Sequence, residues 1–408
     1  MSFGSAVLVT IGAWQGCSIY GPNLLLPAPA DAGSESGPEA AAPVPCVPAL
    51  PPQRPAADDA SVAGTFSGVA AMQAIDVGYG FGTSEAGAPT ITANSPLAPY
   101  GWNLDNTCTC QGSPPGGPSC SQAAGTKENC DDEAGRDHIA LELFRVLTVT
   151  AETGSETANL AMHNGQYGLL IQITGYNGSM NDEQVTVALY ASNGVAAPDG
   201  GTPAPKHNGN DNWTVDPGYV MGGLGLIGTN CDSNNPACMP QFADTDAYVT
   251  NGVMVANLGT VPLTFGSQPN IGGAVMLLHD VLLVGTLVQT GISGGDVGWG
   301  ITNGSVSGRW ETSELLSNLS TIPDPKYPGS YFCGADPVYP LFKAGICALQ
   351  DIASDKSNDN SDPLAPCNAL SMAFGFMAEP ARLGAVMSVA PALAGCEDGG
   401  LPWHDTCP

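Results

Sequence analysis

Charged residues are scarce in this sequence, and basic residues are the scarcest. Only 12% of the 408 residues are charged, and 10 Lys and Arg stand against 38 Asp and Glu, which gives a formal net charge of −28. Such a chain repels the phosphate backbone of nucleic acids and the anionic surface of a membrane. The composition therefore argues against a nucleic-acid partner. It leaves acidic loops that either attract cations or simply keep the protein soluble.

Familiar catalytic and metal-binding patterns are also missing. The five histidines form no His-Glu-x-x-His or His-x-His group, and no two cysteines have the Cys-x2-Cys spacing of zinc ribbons. The runs GLGLIG at 223–228 and GISGG at 291–295 match a dinucleotide-binding pattern and a nucleophile-elbow pattern. Neither run is followed by the helix that such a site needs. The sequence thus predicts no catalytic residue and favours a non-catalytic protein.

Cysteine, by contrast, is abundant. The chain has 13 cysteines, an odd number that leaves one of them outside any pair of bridges. If Cys17 is modified, the remaining twelve suffice for six disulfides in an oxidising compartment. The spacing does not fix their pairing. Cys108 and Cys110 are too close to bridge each other, so we expect them to pair outward, with Cys120 and Cys130 as candidates.

The first residues have the pattern of an export signal. The apolar run AVLVTIGAW at 6–14 is too short to span a bilayer but suits the core of a signal peptide. Gly16 directly before Cys17 resembles the lipobox of bacterial lipoproteins, although Trp14 stands where that family prefers Leu. The resemblance implies a signal peptide over 1–16 and a lipid on Cys17. An ordinary cleaved signal and a buried N-terminal segment are the alternatives.

A tether and a C-terminal tail flank the predicted domain. After the lipidated Cys, residues 17–61 are rich in Pro and Ala, and nine prolines lie in 27–55 without a hydrophobic period. Such a segment buries too little apolar surface to offset its ordering entropy. We therefore predict a tether, with Cys46 tied back to a single large domain over 62–395. A disulfide-linked tail follows over 396–408.

The domain is predicted to be mainly β. Apolar and alternating runs recur between Gly-, Asn- and Pro-rich turns, without the βαβ alternation of a doubly wound sheet. We predict a β-sandwich, jelly-roll-like, with a few short helices and disulfide-tied loops. The predicted strands are Thr65–Val77, Tyr167–Tyr176, Gln184–Ala191, Ala247–Ala256, Ala274–Thr290, Val297–Trp310 and Ala369–Met377. The predicted helices are Arg136–Val149, Thr312–Leu319 and Val338–Ala353.

Two predicted strands carry a further expectation. Residues 171–194 predict a hairpin, since alternating runs flank an Asn-rich turn. Residues 274–290 are more uniformly apolar and predict a strand pair that bends at His279 and Asp280.

Acidic side chains concentrate near the cysteines at 100–138. Hard cations prefer several oxygen ligands from loops that are held together, and disulfides would hold these loops. We therefore predict a Ca²⁺ site, although the spacing is not that of an EF-hand, and a solvated acidic loop is the alternative. The predicted ligands are Asp105, Asp131, Asp132 and Asp137.

The same region carries a family resemblance. YGWNLDNTCTC and NCDDEAGRD resemble a pattern of uncharacterised Cys-rich lipoproteins of Gram-negative bacteria. There a Gly-aromatic-x-Leu-Asp-x-x-Cys-x-Cys run precedes a Cys-Asp…Gly-x-Asp run, and Asn103 here replaces a usual Asp. The resemblance implies export to the outer membrane or cell surface, which Ser18 permits by the family's sorting rule, and no activity.

Two functions remain open at this stage. The favoured one is a lipid-anchored envelope protein, a binding or structural module whose partners are a membrane, through its lipid, and possible glycans. The alternative is an extracellular carbohydrate-active hydrolase with a carboxylate pair such as Asp244 or Asp246 with Glu311. Exposed tryptophans would support either sugar role. The sequence gives no oligomeric state.

Overall fold

The computed structural model describes one compact unit within Pro43–Pro408. The described residues are 45–56, 64–78, 81–83, 89–91, 100–112, 115–123, 128–144, 154–196, 204–232, 235–265, 274–291, 297–321, 331–333, 338–362, 364–387, 396, 402 and 404–408. In this part of the chain no helix is long and apolar enough to cross a membrane.

Eight antiparallel strands close into a β-barrel, so the prediction of a jelly-roll-like β-sandwich was wrong. The ring closes because the first strand pairs with the last, for example Val69 with Ala381, as well as with its other neighbour. Alternating strands are common to sandwiches and barrels, and only this long-range pairing distinguishes them. In ring order the strands are β1 (Phe66–Asp76), β4 (Gly168–Tyr176), β5 (Asp182–Ser192), β7 (Phe242–Thr250), β8 (Val253–Phe265), β9 (Ala274–Gly291), β10 (Val297–Glu311) and β11 (Ala369–Val386).

Three shorter strands lie outside the ring. β2 (Phe81–Thr83) and β3 (Pro89–Ile91) form a small hairpin, and β6 (Asn212–Val215) pairs in parallel with the end of β11. The predictions missed all three, because strands this short carry too few alternating residues to be recognised.

Apolar side chains fill the barrel. In β8 the core positions are Met254, Ala256 and Leu258, followed by Val261 and Leu263. The alternation changes phase at the bulge around Gly259, where the register on β9 shifts. An eight-stranded barrel is just wide enough for side chains to fill it, so this interior is a packed core.

Two strand predictions need correction. Ala247–Ala256 is two strands, β7 and β8, joined by a turn at Asn251 and Gly252, both with positive φ. Residues 274–291 form one continuous strand, β9, and not a bent pair, because the irregularity at Asp280 is a bulge that keeps the ladder running. The hairpin of β4 and β5 is confirmed.

In the described residues, three complete α-helices pack outside the barrel. The prediction missed α1 (Gly154–His163), whose Asn159 exchanges two hydrogen bonds with the backbone of Ile75 in β1. α2 (Thr312–Leu319) is confirmed, and α3 (Tyr339–Ala348) is shorter than predicted. Of the predicted helix at 136–149, residues 140–144 are helical and 145–149 lie outside the described residues.

Six disulfides are present, which confirms the predicted number. Cys46 is tied back to the domain as expected, but through Cys108, and of the candidate pairs for the Cys-x-Cys motif only Cys110–Cys130 forms. The pairs are Cys46–Cys108, Cys110–Cys130, Cys120–Cys367, Cys231–Cys238, Cys333–Cys396 and Cys347–Cys407. This number of bridges fits an exported protein.

Loops cover the outside of β10 and β11, and we call residues 45–50, 100–112, 128–138 and 350–362 the outer layer. Trp102 donates from Nε1 to the hydroxyl of Ser305 at 3.0 Å, and the backbone N–H of Ile139, directly after the layer, donates to the hydroxyl of Ser371 at 2.9 Å. Small residues allow this approach, since a Cβ at Gly375 would lie 2.2 Å from the ring of Tyr100. The outer layer therefore rests directly on the barrel wall.

Candidate functional site

Four carboxylates meet in the outer layer, and we call Asp105, Asp131, Asp137 and Asp351 the carboxylate cluster. Asp105 and Asp137 are 4% and 3% exposed. Asp351 is half-buried as a residue, but its carboxyl accepts hydrogen bonds from the N–H and hydroxyl of the fully buried Ser371 at 2.8 and 2.5 Å. Three of the four predicted Ca²⁺ ligands thus come together, with one acid that the prediction missed.

Backbone N–H groups hold one oxygen of each of the three loop acids. Asp105 accepts from Thr107 at 2.8 Å in a tight local turn. Asp131 accepts from Thr109 at 3.0 Å and Asp137 from Leu104 at 2.5 Å. These bonds orient the carboxyl groups across two loops that the Cys110–Cys130 disulfide links.

Burial and mutual repulsion raise the pKa of three of these acids. Burial, followed by the charges of Asp105 and Asp131, raises the pKa of Asp137 to about 10. Burial and then Asp105 raise the pKa of Asp131 to about 7. Burial also raises the pKa of Asp351 to about 7, against the effect of its hydrogen bonds from Ser371. Acids that oppose one another in this way are stabilised by protons or by a cation.

An unpaired oxygen lies between the two loops. Asn103 is 5% exposed, and its Nδ2 donates to the carbonyl oxygens of Thr107 and Gly135. Its Oδ1 is buried and has no hydrogen-bond partner among the described residues. A buried acceptor left in this state costs on the order of 1–3 kcal/mol unless a donor or an ion satisfies it.

Asp132, the fourth predicted ligand, has a different environment. Its Oδ1 accepts hydrogen bonds from the backbone of Ala134 and Arg136, and its Oδ2 pairs with the Arg136 guanidinium at 3.0 Å. It is exposed and closes a local turn.

A buried arginine anchors the outer layer beside the cluster. Arg309 in β10 is 1% exposed and pairs with Asp359 at 2.5 Å. It also donates to the carbonyl oxygens of Leu104 at 2.6 Å and Ala353 at 2.7 Å. Arg309 and Asp351 were not predicted, because both are remote in sequence from the acids and cysteines at 100–138.

A second candidate site is a cavity of about 420 Å³ where the end of β11 pairs with β6. Its aromatic lining is Phe66 and Trp299, whose ring centroids are 6.2 Å apart in an edge-to-face arrangement. The polar lining includes Asn212, Asn230, Asp232 and Arg382. Its volume lies in the range of small-molecule sites, which is about 300–1,000 Å³.

The candidate hydrolase carboxylates are far apart. Asp244 and Asp246 lie in β7, whereas Glu311 ends β10, and β8 and β9 lie between these strands. Three strand spacings are about 14 Å, beyond the roughly 5–9.5 Å that separates glycosidase carboxyl groups. Asp246 is instead paired with Arg54 at 2.9 Å.

Two residues from the sequence analysis, one a predicted lipidation site and one in a rejected motif, cannot be placed. Cys17 and Ser293, the serine of the GISGG run, lie outside the described residues. Gly223–Leu226, within the GLGLIG run, form a short 3-10 helix, and residues 227–232 after it are not helical.

Comparison of the chain with protein-family models, with curated proteins and with solved structures finds no match.

Proposed function

We propose that this chain is an exported, non-catalytic binding protein in which Ca²⁺ at the carboxylate cluster fixes the outer layer to the barrel. The observation that carries the proposal is the convergence of four acids from separate parts of the chain at one buried place. Three of the four are the acids that the sequence pattern selected.

The donor set favours Ca²⁺ over other metal ions. Ca²⁺ takes six to eight oxygen ligands at about 2.3–2.6 Å and tolerates irregular geometry, whereas transition metals prefer nitrogen or sulfur. The cluster offers four carboxyl groups, with Oδ1 of Asn103 nearby in the same loops. Among the described residues, no three of these acids have carboxylate oxygens that all lie within 4.8 Å of one another. A bound Ca²⁺ therefore draws them inward or includes bridging water, and its flexible coordination allows both.

Calorimetric titration of the metal-free protein with Ca²⁺ tests the site. We expect one ion per chain and a higher melting temperature. Asp137→Asn should weaken binding by at least about tenfold, the smallest loss that a supporting residue of a metal site causes. Asp132→Asn is the matched control, since it removes a neighbouring charge outside the cluster. A titration with no heat and no change in melting temperature would reject the proposal. Equal losses of Ca²⁺ affinity in Asp137→Asn and Asp132→Asn would also reject it.

The proposal includes attachment to a membrane through a lipid on Cys17, with the outer membrane or cell surface as the location. The lipobox-like sequence supports the anchor, and the six disulfides support the oxidising compartment. Mass spectrometry of the mature protein should find diacylated Cys17 as the first residue. An unmodified N-terminus that begins elsewhere would reject the anchor but not the Ca²⁺ site.

We assign ligand binding to the cavity beside Trp299, with a saccharide as the ligand. Sugars present apolar faces that pack on aromatic rings and hydroxyl groups that bond to amide and charged side chains. The cavity combines Trp299 with Asp232 and Arg382. A glycan-array screen of the wild type, with and without EDTA, should show selective binding that Arg382→Ala abolishes and that Glu183→Gln, on the exposed face of β5, preserves. No bound glycan under either condition would reject this assignment.

A further inference from the structure

Three metal-ligating side chains meet where β9, the end of β10 and the start of α2 come together. One ligand atom from each of His279, Glu311 and Glu314 lies within 4.8 Å of the other two, and Nε2 of His279 is 3.1 Å from Oε2 of Glu314. In the described parts of the chain, this is the one group of three or more such side chains with that spacing. All three residues are half-buried, so the group is sheltered but accessible.

Irregularities in three neighbouring strands place this group. The register of β8 on β9 shifts around Gly259, and the register of β9 on β10 shifts between Ser307 and Arg309. Asp280, next to His279, has a φ of 51°, a left-handed conformation that costs a non-glycine residue about 1 kcal/mol. Bulges redirect side chains and are common beside functional sites. Here they turn His279 toward the helix that carries Glu314.

Second contacts orient the metal-ligating groups. Nδ1 of His279 lies 3.2 Å from the hydroxyl of Thr260. When Nδ1–H donates to this hydroxyl, the lone pair of Nε2 is available to an ion, which is the usual arrangement of a histidine ligand. The carboxyl of Glu311 accepts a hydrogen bond from the hydroxyl of Ser313 at 2.7 Å.

We propose that His279, Glu311 and Glu314 form a second metal site, which binds Zn²⁺ or a similar divalent transition-metal ion. One imidazole and two carboxylates suit such ions, unlike the all-oxygen cluster proposed for Ca²⁺. Three protein ligands leave a coordination position for water or another small ligand. Glu314 also lines a cleft of about 740 Å³ with Leu277 and His404, which gives an ion and its fourth ligand access to solvent.

An ion pair without metal is the competing explanation, in which a protonated His279 bonds to Glu314. It leaves the second carboxylate, Glu311, against the first, and Glu311 forms no ion pair among the described residues. Arg309 is two residues away in β10, but its guanidinium is directed to Asp359 at 2.5 Å and Asp280 at 3.4 Å. The excess negative charge favours a divalent cation at this place.

Calorimetric titration of the full oxidised chain with Zn²⁺, in buffer that contains saturating Ca²⁺, tests the proposal. We expect one Zn²⁺ per chain. His279→Ala and Glu311→Gln should abolish binding, and Thr260→Val should weaken it by about 10–100-fold, as loss of a supporting contact does. His163→Ala is the control, because His163 stacks on His207 at 5.3 Å and offers the rival imidazole pair.

Circular dichroism and the melting temperature of each variant in EDTA separate loss of the ligand from loss of the fold. The milder Glu311→Gln and Thr260→Val variants decide the question if His279→Ala does not fold. Wild-type protein that takes up no Zn²⁺ would overturn the proposal. Zn²⁺ binding that survives Glu311→Gln undiminished, or that disappears in His163→Ala, would assign the ion elsewhere.

Discussion

The metal-free protein should lose stability as the pH rises from 5 to 8, because the carboxylate cluster holds protons in the folded state. The pKa values of Asp131 and Asp351 are raised to about 7 and that of Asp137 to about 10. A carboxyl whose folded pKa exceeds its unfolded value stabilises the native state fully below the unfolded pKa. That stability is lost as the pH rises through the folded pKa. The pH range over which this stability is lost therefore starts near pH 4 and extends through pH 7 for Asp131 and Asp351.

The pKa shift of Asp351 gives the magnitude of the expected change in the free energy of unfolding. Its pKa rises from 3.8 to about 7. At about 1.4 kcal/mol per pKa unit this corresponds to roughly 4 kcal/mol, of which on the order of 3 kcal/mol falls between pH 5 and 8. Asp131, whose pKa is raised to about 7 by burial and then by the charge of Asp105, acts in the same direction. His207, whose pKa is lowered by burial, acts in the opposite direction with a single group.

Urea unfolding at pH 5, 6, 7 and 8, in EDTA and in excess Ca²⁺, measures the effect. In EDTA the free energy of unfolding should fall with pH, and Asp351→Asn should flatten the slope while the control Asp132→Asn retains it. In Ca²⁺ the fall should disappear, because the ion replaces the protons and binds more tightly as they leave. A metal-free stability that is constant or rises between pH 5 and 8 would refute the argument.

Three further predictions concern the outer layer and the disulfide next to it. Replacing both Cys120 and Cys367 by Ser opens a loop closed over 247 residues. The free energy of unfolding, measured in urea, should fall by about 5 kcal/mol. A fall of less than about 1 kcal/mol would contradict the expected role of this bridge. Arg309→Met leaves buried partners unpaired and should cost about 3–5 kcal/mol in the same assay, and an unchanged midpoint would mean that the network is dispensable. Gly375→Ala places a Cβ against the ring of Tyr100. It should lower the free energy of unfolding by about 1–3 kcal/mol and weaken Ca²⁺ binding in calorimetry. Wild-type affinity for Ca²⁺ would show that the outer layer adjusts freely.

The regular elements were predictable where a local period persists, but the closure of the sheet was not. β1, β4 and β10 were found nearly to their ends, although bulges interrupt the ladders of β1 and β10 without ending these strands. The turn at Asn251 and Gly252 was missed because apolar residues lie on both sides of it. Closure depends on the pairing of β1 with β11, from opposite ends of the domain, and no local pattern records that contact.

The carboxylate cluster was likewise predictable only where local sequence patterns mark its members. Asp131 and Asp137 were predictable because cysteines mark their loops, and a disulfide brings such loops together. Asp351 is remote from these acids in the sequence and joins them only through the packing of the outer layer on Ser371. Asp131 and Asp132 are adjacent and chemically identical, yet one accepts from Thr109 across the layer and the other closes its own turn. The direction in which a loop side chain points depends on the conformation of the backbone, and the composition of the loop does not determine it.

The barrel and the outer layer are held by different interactions. The barrel closes around apolar side chains such as Leu258 and Val261, whereas the layer meets the wall through polar groups such as Ser371 and Arg309. Polar groups buried at such a surface stabilise it only when all of them are paired, because each unpaired group costs about as much as a good pair contributes. Disulfides and the proposed Ca²⁺ would together satisfy that condition, since they would hold the loops in register and neutralise their acids. Reduction or removal of the proposed Ca²⁺ should therefore act first on the outer layer, while the apolar interior of the barrel keeps its own source of stability.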